Sequence, residues 1–150
     1  MNERRRARLR ALLKTAGATG VDPARVEGAF VHASAARENG LESNERLEFF
    51  GDAILGFAAS RWLMARYPTA SEGLLTRRRA NLVSGAGCAE TARRLGFSEL
   101  VLLGAGMERD GGAQNLTILA DAFEAFVAAL LVATDLERTV AFLAKHHFEP

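Results

Sequence analysis

Apolar residues in this 150-residue chain recur at helical rather than alternating spacing. A first helix is expected from about Glu3 to Ala16, ending near Gly17. Asp22-Pro23 reads as an N-cap and first-turn pair that opens a second helix through about Ser34. Asn39 to Ser43 reads as a loop before a long helix, about Asn44 to Arg66, which stops ahead of Pro68. Ser71, with Glu72 close behind, starts a fourth helix to about Val83; Ser84 to Gly87 breaks the chain, and a fifth ends at Gly96. Glycines 104, 106, 111 and 112 make 104–115 a loop. Helices over about Leu116–Ala133 and Leu136–His147 close the chain, and the only strand candidate is Leu100–Leu103. The predicted fold class is all-α, in one domain over residues 1–150, since no linker rich in Pro, Gly or Ser divides it.

Two of these helices depart from ordinary amphipathic patterning. Over Leu116–Ala133 only Thr117, Asp121 and Glu124 are polar, and a helix apolar all round is a buried helix. Asp121 and Glu124 are one turn apart on a shared face. On the long central helix, Glu45, Glu48 and Asp52 fall within about 60° of one another on a helical wheel. Leu47, Phe50, Ile54, Leu55 and Phe57 take up most of the remaining circumference. Each helix is therefore an apolar rod with an acidic stripe.

Carboxylates buried side by side repel one another and carry a desolvation cost. Such a group can be relieved by protonation, by internal ion pairs to arginine, or by a metal ion. Oxygen donors suit Mg²⁺ or Mn²⁺, ions that activate water and stabilise charge on phosphoryl groups. A di-iron bundle would need Glu-x-x-His, and none of His32, His146 and His147 stands three residues after a glutamate. One Cys and three scattered His give no zinc spacing. His32 is read as a packed or capping side chain. The 104–112 glycines follow neither the Walker nor the dinucleotide pattern, so no organic cofactor is expected.

Composition changes little: 49% hydrophobic and 25% charged is ordinary for a globular chain. Charge layout adds more, because a net charge of +1 conceals basic clusters at Arg4–Arg10, Arg77–Arg79 and Arg93–Arg94. These suit a polyanionic partner or simply solvate helix faces. The single cysteine, Cys88, allows no internal disulfide, and the basic N-terminus lacks the apolar stretch of a secretory signal. No run of purely apolar residues reaches the roughly 20 needed to span a bilayer. A cytoplasmic location without membrane association is expected.

The segment Asn44-Glu-Arg-Leu-Glu-Phe-Phe-Gly-Asp-Ala-Ile-Leu55 resembles the signature of the ribonuclease III family. The likeness extends through Ala29–Ser34, Ser71–Gly73, Arg79–Ser84, Leu103–Gly106, Gly111-Gly112 and Ile118–Ala125. It implies an all-helical endonuclease domain that works as a homodimer on double-stranded RNA. The implied products carry 5′-phosphate and 3′-hydroxyl ends with two-nucleotide 3′ overhangs. By the same resemblance, Glu48, Asp52, Asp121 and Glu124 are the metal-binding acids, with Asp52 and Glu124 catalytic and Mg²⁺ (or Mn²⁺) as the cofactor. Glu45 and Glu72 correspond to supporting acids, and Phe49 to an aromatic inserted into the partner at the dimer interface; an ordinary core Phe is the alternative.

The expected domain is thus a catalytic one over 1–150, without the double-stranded RNA-binding domain of about 70 residues that bacterial members carry. Gln114 and Asn115 stand where basic residues are usual, which removes possible phosphate contacts. Val31 replaces the usual threonine and Ala33 a basic or polar residue. The rival to an RNA-processing enzyme is a non-catalytic, RNA-binding or ribosome-associated dimerisation module of the same fold. A scaffold of that kind has no need of carboxylates on apolar helices.

Overall fold

A computed structural model describes residues 1–149. Among them the fold is all-α: α1 (Glu3–Thr15), α2 (Ala24–Glu27), α3 (Ala33–Asn39), α4 (Glu45–Arg66), α5 (Glu72–Leu82), α6 (Gly85–Arg94), α7 (Ala105–Arg109), α8 (Leu116–Ala133) and α9 (Leu136–Leu143). The strand candidate is reduced to one isolated parallel bridge between Val31 and Leu102. Helix starts are set by capping side chains that accept otherwise unpaired N–H groups. Asn2, Ser71, Ser84 and Asp135 do this for α1, α5, α6 and α9. Asn115 serves α8 by accepting from the amides of Thr117 and Ile118, so this neutral residue has a structural task.

Three expectations from the pattern need correction. The second expected helix is broken: α2 passes into a 3₁₀ turn at Gly28–Phe30, then two extended residues, then α3. Val31 and His32 lie extended because the His32 amide donates to Leu102 O and the Leu102 amide donates to Phe30 O. The glycine-rich 104–115 segment is not purely a loop, since α7 and a 3₁₀ turn at Gly112–Gln114 form within it. Ser84 caps α6, so Gly85 and Gly87 are inside a helix rather than a break.

The buried rod α8 is the axis of the molecule, packed chiefly against α4 and α6. By length and composition it could cross a membrane, but most of it is enclosed by the other helices. Around it Phe30, Phe97, Phe123 and Phe126 are fully buried. Edge-on pairs join Phe30 to Phe97 (5.0 Å between centroids) and Phe97 to Phe126 (5.5 Å). Such pairs add about 0.5–1.5 kcal/mol each beyond burial. At the C-terminus, His147 Nε2 donates to Leu82 O at 2.6 Å and Nδ1 accepts from Thr91 Oγ at 2.8 Å. That tautomer follows from the partners, and burial holds the imidazole neutral by lowering its pKa.

Helix α4 differs from expectation. One face carrying Ile54, Leu55, Ala58, Ala59 and Leu63 is buried, yet a second apolar face is open to solvent. Phe49 is 82% exposed, Phe57 52% and Met64 65%. Phe50 is exposed as well, so the apolar circumference of α4 is only half used by the core.

Candidate metal centre

The site begins with a glycine. A Cβ placed on Gly51 would lie 1.8 Å from the carbonyl oxygen of Glu124, so the backbones of α4 and α8 touch at this point. No side chain fits between them. Glu48 and Asp52 flank Gly51 on α4, while Glu124 supplies the contact itself and Asp121 precedes it by one turn. Backbone contact at one glycine therefore carries the acids of both helices to one place. Glycine inside a helix costs about 1 kcal/mol relative to alanine, which is the signal by which a packing role could have been suspected.

The juxtaposition has electrostatic consequences. Glu124 has its pKa pushed up to about 7, first by burial and then by the charges of Asp52, Glu48 and Asp121. Burial, followed by Asp121, Glu45 and Asp52, raises Glu48. Asp121 is raised by burial and drawn back by His32. Glu48, Asp121 and Glu124 are half-buried and Asp52 is exposed, so the acids stand at the surface rather than in a sealed core. Beneath them Cys88 is fully buried in α6, its thiol pushed up to about 12 by burial and by Glu124 and Asp52. A thiol so poised is inert at neutral pH. Its place under the acids was invisible in the sequence, where it stood alone.

Of the three ways to relieve such repulsion, ion pairing is not taken. The five ion pairs among the described residues all involve other acids, such as Arg5–Glu27 and Arg8–Glu99. The four carboxylates also lie outside every side-chain hydrogen bond formed by the described residues, Glu45 and Glu72 having partners of their own. At the same time, no three His, Cys, Asp or Glu side chains among the described residues are gathered tightly enough to hold an ion. The acids are thus near enough to raise one another's pKa but are not drawn in to ion-binding distance. An all-oxygen donor set, partly desolvated and ion-paired to no arginine or lysine among the described residues, fits a hard divalent ion.

The supporting residues divide. Glu45 is exposed, accepts from Ser43 Oγ at 2.6 Å, and adds to the charge felt by Glu48. Glu72 stands away from the cluster, accepting from Thr76 Oγ1 at 2.6 Å on a groove between α4 and α5. His32 proves to be the N-cap of α3, its Nδ1 accepting from the Ser34 amide at 3.2 Å. Phe49 is not a core residue.

The family profile described as ribonuclease-III-like matches residues 22–150. Ribonuclease 3 of Bacillus licheniformis is 46% identical over 123 residues, 80% of this chain and 49% of that protein. Ribonuclease 3 of Geobacillus kaustophilus is 40% identical over 151 residues, 99% of this chain and 61% of that protein. The chain thus spans about half to three fifths of the length of the curated relatives it matches. A crystal structure of the nuclease domain of ribonuclease III from Campylobacter jejuni superposes with a TM-score of 0.81 at 28% identity, over 89% of each chain. A second structure of that domain, with a TM-score of 0.82 over 89% of this chain and 92% of that one, concerns flexibility in its dimer-forming region.

Proposed function

Because the chain belongs to the ribonuclease III family, we propose that residues 1–150 form a divalent-metal-dependent endoribonuclease domain that cleaves double-stranded RNA in cytoplasmic RNA processing. The observation that carries this reading is four unpaired carboxylates held together by the Gly51–Glu124 backbone contact. Glu48, Asp52, Asp121 and Glu124 would hold Mg²⁺ or Mn²⁺, which when bound supplies water activation and stabilises charge on the phosphoryl group. The chain's own contribution is orientation and dryness. Buried α8 fixes Asp121 and Glu124, and the apolar floor at Cys88 keeps water from beneath them. Products would carry 5′-phosphate and 3′-hydroxyl ends with two-nucleotide 3′ overhangs. A 5′-labelled RNA duplex tests this: cleavage should require Mg²⁺ or Mn²⁺ and stop with chelator. Cleavage that survives chelation refutes the metal assignment, while duplex binding without cleavage in either metal favours the non-catalytic module.

The exposed face of α4 supports a homodimer. An apolar groove between α4 and α5, about 290 Å³ and lined by Leu63, Met64, Leu75 and Glu72, is of a size for one aromatic ring. Two copies of α4 crossing antiparallel would seat Phe49 of each near Met64 of the other. The axis then falls midway, at Gly56–Phe57, where Gly56 has open space on its outer side. The same crossing sets Glu72 of one copy beside Glu48 of the other, which gives an isolated supporting acid a place at the site. We expect a dimer by sedimentation at micromolar concentration and a monomer for Phe49→Asp. A monomeric parent protein refutes this arrangement.

A further inference from the structure

On the opposite side of the fold a groove of about 500 Å³ runs between α1 and the Thr19–Pro23 loop. Arg6, Arg10 and Lys14 line it, four residues apart and so on one face of α1. Like charges at this spacing destabilise a helix. Arg5 and Arg8, on the neighbouring face, pair with Glu27 and Glu99. Arg6, Arg10 and Lys14 enter no ion pair or side-chain hydrogen bond formed by the described residues. The Arg6 Nε–H is buried and lacks an acceptor altogether. An unsatisfied buried donor is costly, so the Arg6 side chain gains a partner if it turns toward an oxyanion held in the groove.

One acid also lines the groove: Asp22, whose Oδ1 already accepts from the Ala24 amide at 3.1 Å. Three cations against one occupied carboxylate leave the groove positive. Leu13 and Val21 add an apolar wall that lowers the local dielectric and strengthens attraction for an anion. The place is far from the acids. Arg25, just beyond the loop, donates to the carbonyls of Val132 and Ala133. The groove thus lies near the C-terminal end of α8, nine residues or about 14 Å along the helix from Glu124 and twelve or about 18 Å from Asp121.

We propose that this groove is a phosphate-binding site, distinct from the acidic centre, in which Arg6, Arg10 and Lys14 engage phosphate oxygens. The phosphates are supplied either by a nucleic-acid backbone or by a small phosphate-bearing ligand. The test is made in chelator, so it does not depend on cleavage and its failure is separable from failure of the nuclease reading. Arginine Nε–Hε resonances of the intact protein are followed during titration with inorganic phosphate, against chloride at equal ionic strength. Saturable movement of the Arg6 and Arg10 signals by phosphate alone is expected; absence of movement, or equal movement with chloride, overturns the proposal. A folded R6Q/R10Q/K14Q variant then identifies the source. If its duplex-RNA binding loses about 3 from the slope of log K against log salt, at about 0.9 per phosphate contact, the backbone is the ligand. An unchanged slope, given the phosphate response of the parent protein, assigns the groove to a small phosphate compound.

Discussion

Glu124→Gln should abolish metal-dependent cleavage, by at least about a thousandfold, and at the same time make the metal-free protein more stable at pH 8. The first effect follows from removing a charged ligand whose ion supplies several kcal/mol of transition-state stabilisation, at 1.36 kcal/mol per tenfold in rate. The second follows from repulsion. In the folded protein the Glu124 pKa stands near 7, above its ordinary value of 4.5, because of burial and the charges of Asp52, Glu48 and Asp121. A carboxyl whose pKa is raised by folding binds its proton more tightly in the folded state. Stability is therefore lost as pH climbs from about 4.5 to about 7, and the deficit persists above that. Glutamine has no charge to lose. Melting temperatures in chelator should put the variant above the parent at pH 8, with the gap closing toward pH 4.5. Added Mg²⁺ should reverse the order by stabilising only the parent. Equal melting curves at pH 8 would mean that the four acids do not share one field.

Gly51→Ala is expected to do still more damage to the fold. Its methyl group would sit 1.8 Å from Glu124 O, against backbone that cannot rotate away. Relief requires α4 and α8 to part, and theirs is the most extensive helix–helix packing in the fold. Overpacking ordinarily costs about 1–3 kcal/mol, and a clash of backbone on both sides belongs at or beyond the top of that range. For a domain of this size the melting temperature should fall by on the order of 10 °C. Cleavage should fall with it even where the variant stays folded, because parting the helices separates Glu48 and Asp52 from Asp121 and Glu124. Gly85→Ala, at a helical glycine with nothing within 4 Å of the added carbon, is the control and should be neutral or slightly stabilising. An unaltered melting temperature for Gly51→Ala would contradict the helix contact on which the site depends.

Both predictions rest on residues of unequal visibility in the sequence. The acids showed themselves because Asp121 and Glu124 interrupt an otherwise apolar helix, and because Glu45, Glu48 and Asp52 share one face of another. Local periodicity is a property of the chain alone, so the span of α8 and the acidic stripes could be read before any folding. Residues Glu3–Thr15, Glu45–Arg66 and Leu116–Ala133 form helices close to where apolar spacing and capping residues put them. The break after α2 was hidden, since it depends on Val31 and His32 meeting Leu102, some seventy residues away.

What only the tertiary structure decided is which side chains meet and which are left over. Gly51 gave no sign in the sequence that it meets the Glu124 backbone, and Cys88 stood alone there, whereas α6 brings it under the acids. Phe49 could be core or interface by its wheel position, and its exposure beside Phe57 and Met64 made it surface. The basic residues of α1 were one cluster in the sequence; packing divided them into paired Arg5 and Arg8 and unpaired Arg6, Arg10 and Lys14. The physical reason is the same in each case. Spacing along a helix tells which residues share a face, but burial, pairing and close approach are set by what the rest of the chain places opposite that face.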